Sequence, residues 1–96
     1  MRVDFLAAAA QEVEDAQAWY EERSVFAASA FLRELSIATN RIREAPMRYA
    51  GAEHGTRRIF LEHFPFTMYY RVREDVITIV AVAHQKRRPG LQPNVA

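Results

Sequence analysis

The chain has 96 residues, enough for one domain with a single modest core. Half of them are hydrophobic, 26% are charged, and there are three glycines and four prolines, a balance that excludes a disordered tail. Formal net charge is +1; no stretch reaches the roughly 18 apolar residues of a membrane span or resembles a signal peptide, and the absence of cysteine excludes disulfides and thiolate metal sites, so a reducing cytoplasm is the expected compartment.

Residues 2–6 read as a short strand, with Val3 and Phe5 on one side. From Ala7 the period becomes helical. Ala9, Val13, Ala16 and Tyr20 fall on one stripe, and Gln11, Glu12, Glu14, Asp15 and Gln17 are expected to be its wet face. This helix is predicted to end near Arg23-Ser24. A second stripe, Ala28, Phe31, Leu35, Ala38, Ile42 and Ala45, predicts another helix, stopped by Pro46. So short a connection makes the pair an antiparallel hairpin, which needs a sheet to cover.

A loop over 46–56, marked by Pro46, Gly51 and Gly55, leads to three strand candidates at 57–63, 66–73 and 76–84, rich in Ile, Val, Phe, Tyr and Thr. Phe64-Pro65 separates the first two, and Glu74-Asp75 turns the second into the third. Residues 85–96 form a basic, proline-containing tail. The fold class is therefore α+β in the order β-α-α-β-β-β: one domain over 1–96, with its ordered core at about 2–84.

A tight turn at Glu74-Asp75 pairs Val72 with Ile77 and Tyr70 with Ile79. Unbroken alternation then gives one apolar face, Phe66, Met68, Tyr70, Val72, Ile77, Ile79, Ala81 and Ala83, to lie under the helices. The other face carries Thr67, Tyr69, Arg71, Thr78, Val80, Val82 and His84, and ends where Lys86-Arg87-Arg88 begin. That face is either a working surface or the ordinary solvated side of an antiparallel sheet. Val80 and Val82 on it suggest that something apolar covers part of it, such as the tail or a partner segment. His54 and His63 read as surface residues, and Trp19-Tyr20 as hairpin packing or a partner contact.

Charge separates along the chain. Acidic residues concentrate before residue 45, whereas from Arg57 onward Arg57, Arg58, Arg71, Arg73, Lys86, Arg87 and Arg88 outweigh Glu62, Glu74 and Asp75. Such a basic half suits RNA, DNA or an acidic protein, and charge does not choose among them. Twelve arginines against one lysine favour planar, bidentate recognition, and a GC-rich genome would produce the same bias.

The run Arg58-Ile59-Phe60-Leu61-Glu62-His63-Phe64-Pro65-Phe66-Thr67-Met68-Tyr69-Tyr70-Arg71-Val72, followed by Ala81-Val82-Ala83-His84-Gln85-Lys86-Arg87-Arg88-Pro89, resembles the RelE/ParE toxin superfamily, and its ParE-like branch most closely. Trp19-Tyr20-Glu21, Phe31 with Glu34-Leu35, and Ile42 with Pro46 agree with that pattern, so the likeness spans roughly residues 3–90. It implies the toxin of a type II toxin–antitoxin (plasmid stabilisation or addiction) module. The partner would be a small antitoxin with a ribbon-helix-helix or similar DNA-binding part, and the target either DNA gyrase, inhibited without catalysis, or the ribosome, where RelE-like members cut mRNA. A third possibility is a non-toxic binding module on the same fold.

Thr67 stands where cleaving members tend to carry an arginine, and Leu91-Gln92 follows Pro89-Gly90 where they carry a late tyrosine. These departures favour the gyrase reading. Should the chain be a nuclease, it would be a metal-independent endoribonuclease with Arg71, His84, Lys86 and Arg87 as candidate catalytic groups. The target-binding expectation is Lys86, Arg87 and Arg88. The antitoxin-binding expectation is Tyr69, Arg71, Val80, Val82 and His84. No cofactor or metal and no membrane association is implied.

Overall fold

The computed structural model describes residues 1–86. Its elements are β1 (Arg2–Phe5), α1 (Ala7–Glu21), α2 (Val25–Glu44), a short 3-10 turn (Glu53–Gly55), β2 (Arg57–Phe60), β3 (Phe66–Arg73) and β4 (Val76–His84), the order expected from sequence. The strands form one sheet in the order β1-β4-β3-β2. The last three are antiparallel neighbours, and β1 completes the sheet by pairing in parallel with β4, Val3 beside Ile77 and Phe5 beside Ile79.

β1 passes almost directly into α1: Leu6 donates its N–H to the Ile79 carbonyl while its own carbonyl accepts from Ala10. Ala9 and Ala16 are buried where α1 meets the sheet, and their small side chains let the backbones approach closely. Only residues 22–24 separate the two helices. The Ser24 N–H donates to the Tyr20 carbonyl at 2.7 Å, and the Ser24 hydroxyl caps α2 by accepting from the Ala27 N–H at 3.2 Å. Arg23 locks the corner by donating to the Trp19 carbonyl at 2.7 Å and lying 3.6 Å above the Trp19 ring. On α2 the buried residues are Ala28, Phe31, Leu35, Ala38 and Ile42, all on the predicted stripe; Ala45, its last member, is the C-cap.

The core lies between the hairpin and one side of the sheet, where Phe31, Ile42, Met68, Tyr70, Ile77, Ile79 and Val82 are fully buried. Tyr20, Phe31, Phe64 and Phe66 form an aromatic cluster with centroid spacings of 5.0 to 6.4 Å, so the Phe64-Pro65-Phe66 step is a packing element as well as a turn. The buried Tyr70 donates its hydroxyl to the Pro46 carbonyl at 2.5 Å, and Arg57 donates to the Tyr49 carbonyl at 2.7 Å. These two bonds tie the 46–56 loop to the sheet edge.

Three expectations need correction. β2 stops at Phe60 instead of continuing to residue 63, because Glu34 of α2 draws the chain out of the sheet: it accepts from the His63 N–H at 2.6 Å and meets His63 Nδ1 at 2.8 Å. Glu12 does not belong to a wet face; its carboxylate turns toward the sheet and accepts the Val82 N–H at 2.7 Å. The strand faces also change. The predicted pairs Val72–Ile77 and Tyr70–Ile79 both occur, but Tyr69 pairs with Ala81, leaving Val80 as the extra residue of a β-bulge. Beyond it the alternation inverts, so Val82 and His84 turn to the helix side while Ala81 and Ala83 join Tyr69 on the outer face.

Candidate functional site

The bulge divides the expected working surface in two. On the outer face, Tyr69, Ala81 and Ala83 form a small apolar cluster, flanked by Val80 and partly covered by Ala52 of the 46–56 loop. The cover expected over Val80 and Val82 is the tail or a partner segment; Val82 is instead in the core, and the apolar residue packed on this face is Ala52 of the 46–56 loop. Strand pairing places Arg58 beside Tyr69 and Arg71 two residues further along β3, so both arginines share this face. Phe60, opposite Thr67, lies on it as well and is 56% exposed. The Arg58 guanidinium stands 5.4 Å from the Phe60 ring centre.

On the helix side, a cleft of about 460 Å³ opens between α1 and the end of β4. Trp19, Tyr20, Phe66 and Val82 give it apolar walls, Glu12 and Asp15 line it with carboxylates, and His84 closes one end. The His84 ring meets Phe66 edge-on at 5.3 Å, and its Nδ1 accepts the Lys86 N–H at 3.2 Å. Trp19 is half exposed beside this cleft, so of the Trp19-Tyr20 pair only Tyr20 enters the core cluster. Burial also raises the Tyr20 hydroxyl above its ordinary pKa.

Of the candidate catalytic residues, Arg71 lies on the outer face, His84 lies in the cleft on the opposite side of the sheet, Lys86 is exposed just past β4, and Arg87 lies outside the described residues. General acid–base cleavage of a phosphodiester needs a proton shuttle and cations converging on one phosphate. Arg71 and His84 do not converge. Of the three expected target-binding cations only Lys86 is described; Arg88 lies outside with Arg87. Of the five expected antitoxin contacts, Tyr69, Arg71 and Val80 stay together, whereas Val82 and His84 face the other way. Both remaining histidines are at the surface: His54 takes a left-handed φ of 60° in the 3-10 turn, and His63 holds Glu34.

The cleft is hard to foresee from sequence. Its one advance signal is the pairing of Trp19-Tyr20 with carboxylates one and two turns earlier on α1, and that signal emerges only once Val82 and His84 are known to face the helix.

Among curated proteins no match is found. Among solved structures the chain is similar to one of the chromosomal ParDE TA system from P. aeruginosa, with a TM-score of 0.75 and 20% identity over 88% of this chain and 95% of that one. The family model of the ParE toxin of the type II toxin–antitoxin system parDE matches residues 3–89, a span that reaches from β1 past the end of β4. The chain belongs to the ParE toxin family of type II toxin–antitoxin systems.

Proposed function

We propose that this toxin arrests growth by inhibiting DNA gyrase without chemistry of its own, and that a cognate antitoxin holds it inactive. The observation that supports a non-catalytic mode is the bulge at Val80, which puts Arg71 and His84 on opposite sides of the sheet. A surface that binds but lacks a converging acid–base pair inhibits by occupying or trapping its target. The exposed Lys86, with Arg87 and Arg88 after it in sequence, remains the proposed target contact. A neutralising antitoxin reaches Tyr69, Arg71 and Val80 on the outer face and His84 at the cleft only by wrapping around the β4 end of the sheet, whereas Val82, 1% exposed, belongs to the core and drops out of the proposed contact. An extended or helical segment can do this, and a rigid globular partner cannot.

The test combines induction in a bacterial host without antitoxin with assays of the purified protein. The expected result is growth arrest with filamentation and DNA-damage signalling, together with inhibition of gyrase supercoiling in vitro. Ribosome-dependent cleavage of mRNA by the purified toxin, with rapid loss of translation in cells, would overturn the proposal.

A further inference from the structure

Five of the ten arginines among the described residues are held by ion pairs or hydrogen bonds. Arg2, Arg23 and Arg41 are ion-paired, Arg43 donates to Asn40, and Arg57 is committed to loop carbonyls. Arg58, Arg71 and Arg73 have no ion-pair partner among the described residues, and, unlike Arg33 on α2 and Arg48 in the 46–56 loop, which also lack one, strand register sets them together on the outer face of the β2–β3 pair. Asp4, on the same face of β1, is occupied by Arg2 at 3.2 Å. Glu74 and Asp75 sit beyond Arg73 at the hairpin tip.

The spacing of the three cations follows from the sheet. Arg71 and Arg73 are two residues apart on one strand, about 7 Å, and Arg58 lies diagonally across from Arg71 at roughly 7–8 Å. Beside this row stands Phe60, more than half exposed, with a guanidinium near its ring. An acidic protein would use the cations but gains little from an exposed aromatic face among them. A single nucleic-acid strand uses both features, its phosphates on the arginines and a base stacked on the ring.

We infer that the Arg58–Phe60–Arg71–Arg73 face binds single-stranded DNA. The choice of DNA over RNA rests on the gyrase reading, since gyrase handles DNA; the binding itself does not. The surface engages the backbone through guanidinium–phosphate pairs and is indifferent to sequence. Because Arg71 is shared with the proposed antitoxin contact, antitoxin and strand compete for it.

The experiment is fluorescence anisotropy of the full chain with labelled DNA strands of about 20 nucleotides, at salt concentrations from about 50 to 200 mM. Binding is expected at the lower salt and is expected to weaken as salt rises. The double variant R58Q/R71Q should flatten the log–log salt slope by about 0.7 for each phosphate it no longer neutralises. Phe60→Ala should weaken single-strand binding by about tenfold while affecting duplex binding far less. Far-UV circular dichroism and melting of each variant establish that the fold is intact, and R73Q, at an exposed position, serves as a second variant should R58Q/R71Q fail to fold.

Absence of binding at low salt, or binding unaltered in folded R58Q/R71Q, overturns the inference. So does tighter binding of an RNA strand of the same sequence, or of poly-glutamate, which would assign the face to RNA or to an acidic protein. Gyrase inhibition is scored separately: DNA binding without inhibition defeats the gyrase reading alone, and inhibition without DNA binding defeats this inference alone.

Discussion

Glu12 ties α1 to the backbone of β4. It lies among polar positions of α1, but the bulge in β4 interrupts the regular ladder, and the N–H of the buried Val82 donates to the Glu12 carboxylate at 2.7 Å. A buried N–H without an acceptor costs about 1–3 kcal/mol. Glu12→Ala is therefore expected to lower unfolding free energy in urea by roughly that amount, whereas Glu12→Gln, which keeps a carbonyl acceptor, should lose much less. Equal losses in the two variants would count against this role. Glu34 and His63 give a second prediction, in pH. Burial alone would raise the Glu34 carboxyl, but the His63 N–H, the ring hydrogen bond and the ring charge together bring it below its ordinary 4.5. His63 is raised above its ordinary 6.5, first by its hydrogen bond to Glu34 and then by the carboxylate charge. A lowered acid stabilises above its unfolded value and loses that contribution as pH falls through its folded one. A raised base stabilises below its unfolded value and loses it as pH rises through its folded one. Both contributions are complete together between pH 4.5 and 6.5. The stability difference between wild type and Glu34→Gln should thus peak in that window and shrink on both sides. A pH-independent difference would show that the pair contributes no linkage.

Among the elements, those with a strong periodic signature are legible in the sequence and the bulge is not. The Phe31, Leu35, Ala38, Ile42 stripe locates α2 because polar residues such as Arg33, Glu34, Asn40 and Arg41 interrupt it at helical spacing and make the phase visible. In β4 the run Ile79-Val80-Ala81-Val82-Ala83 is apolar in both phases, so no polar residue reports where the alternation inverts. The register near the turn is readable from Glu74-Asp75, but unbroken alternation puts everything beyond Val80 on the wrong side, and with it half of the candidate site. The end of β2 is hidden for a related reason: what terminates it is Glu34, distant in sequence. The corrected faces can be checked directly. Val82 is 1% exposed under α1, whereas Val80 is half-buried on the outer face. Val82→Asp should be severely destabilising, by several kcal/mol, because it buries a carboxylate in the core beside Glu12. Val80→Asp should cost clearly less. A reversed order of the two midpoints in urea would restore the unbroken alternation and rejoin Arg71 with His84.

For the whole molecule, stability and partner binding are the same question. A 96-residue chain with one core has a small margin, and this one leaves apolar side chains in water at the end of its hairpin, with Trp19 53%, Val25 66% and Phe26 87% exposed. Phe26 buries so little that Phe26→Ser should change stability by less than about 0.5 kcal/mol, while raising the concentration at which the isolated toxin aggregates. The proposed antitoxin acts on the other side of the balance. A partner that binds only the folded toxin adds RT ln(1 + [L]/Kd), about 2.7 kcal/mol at a free concentration of 100 Kd. For a domain of this size, where 1 kcal/mol corresponds to about 4–8 °C, the complex should melt roughly 10–20 °C above the free toxin, with a shift that grows with antitoxin concentration. The concentration dependence is the decisive part, because linkage ties the shift to free partner, whereas a change of buffer produces an offset that does not follow it. A melting temperature indifferent to a partner that demonstrably suppresses toxicity would mean that neutralisation does not proceed through the folded surface of this chain, and that β4 and its two faces are not where the antitoxin acts.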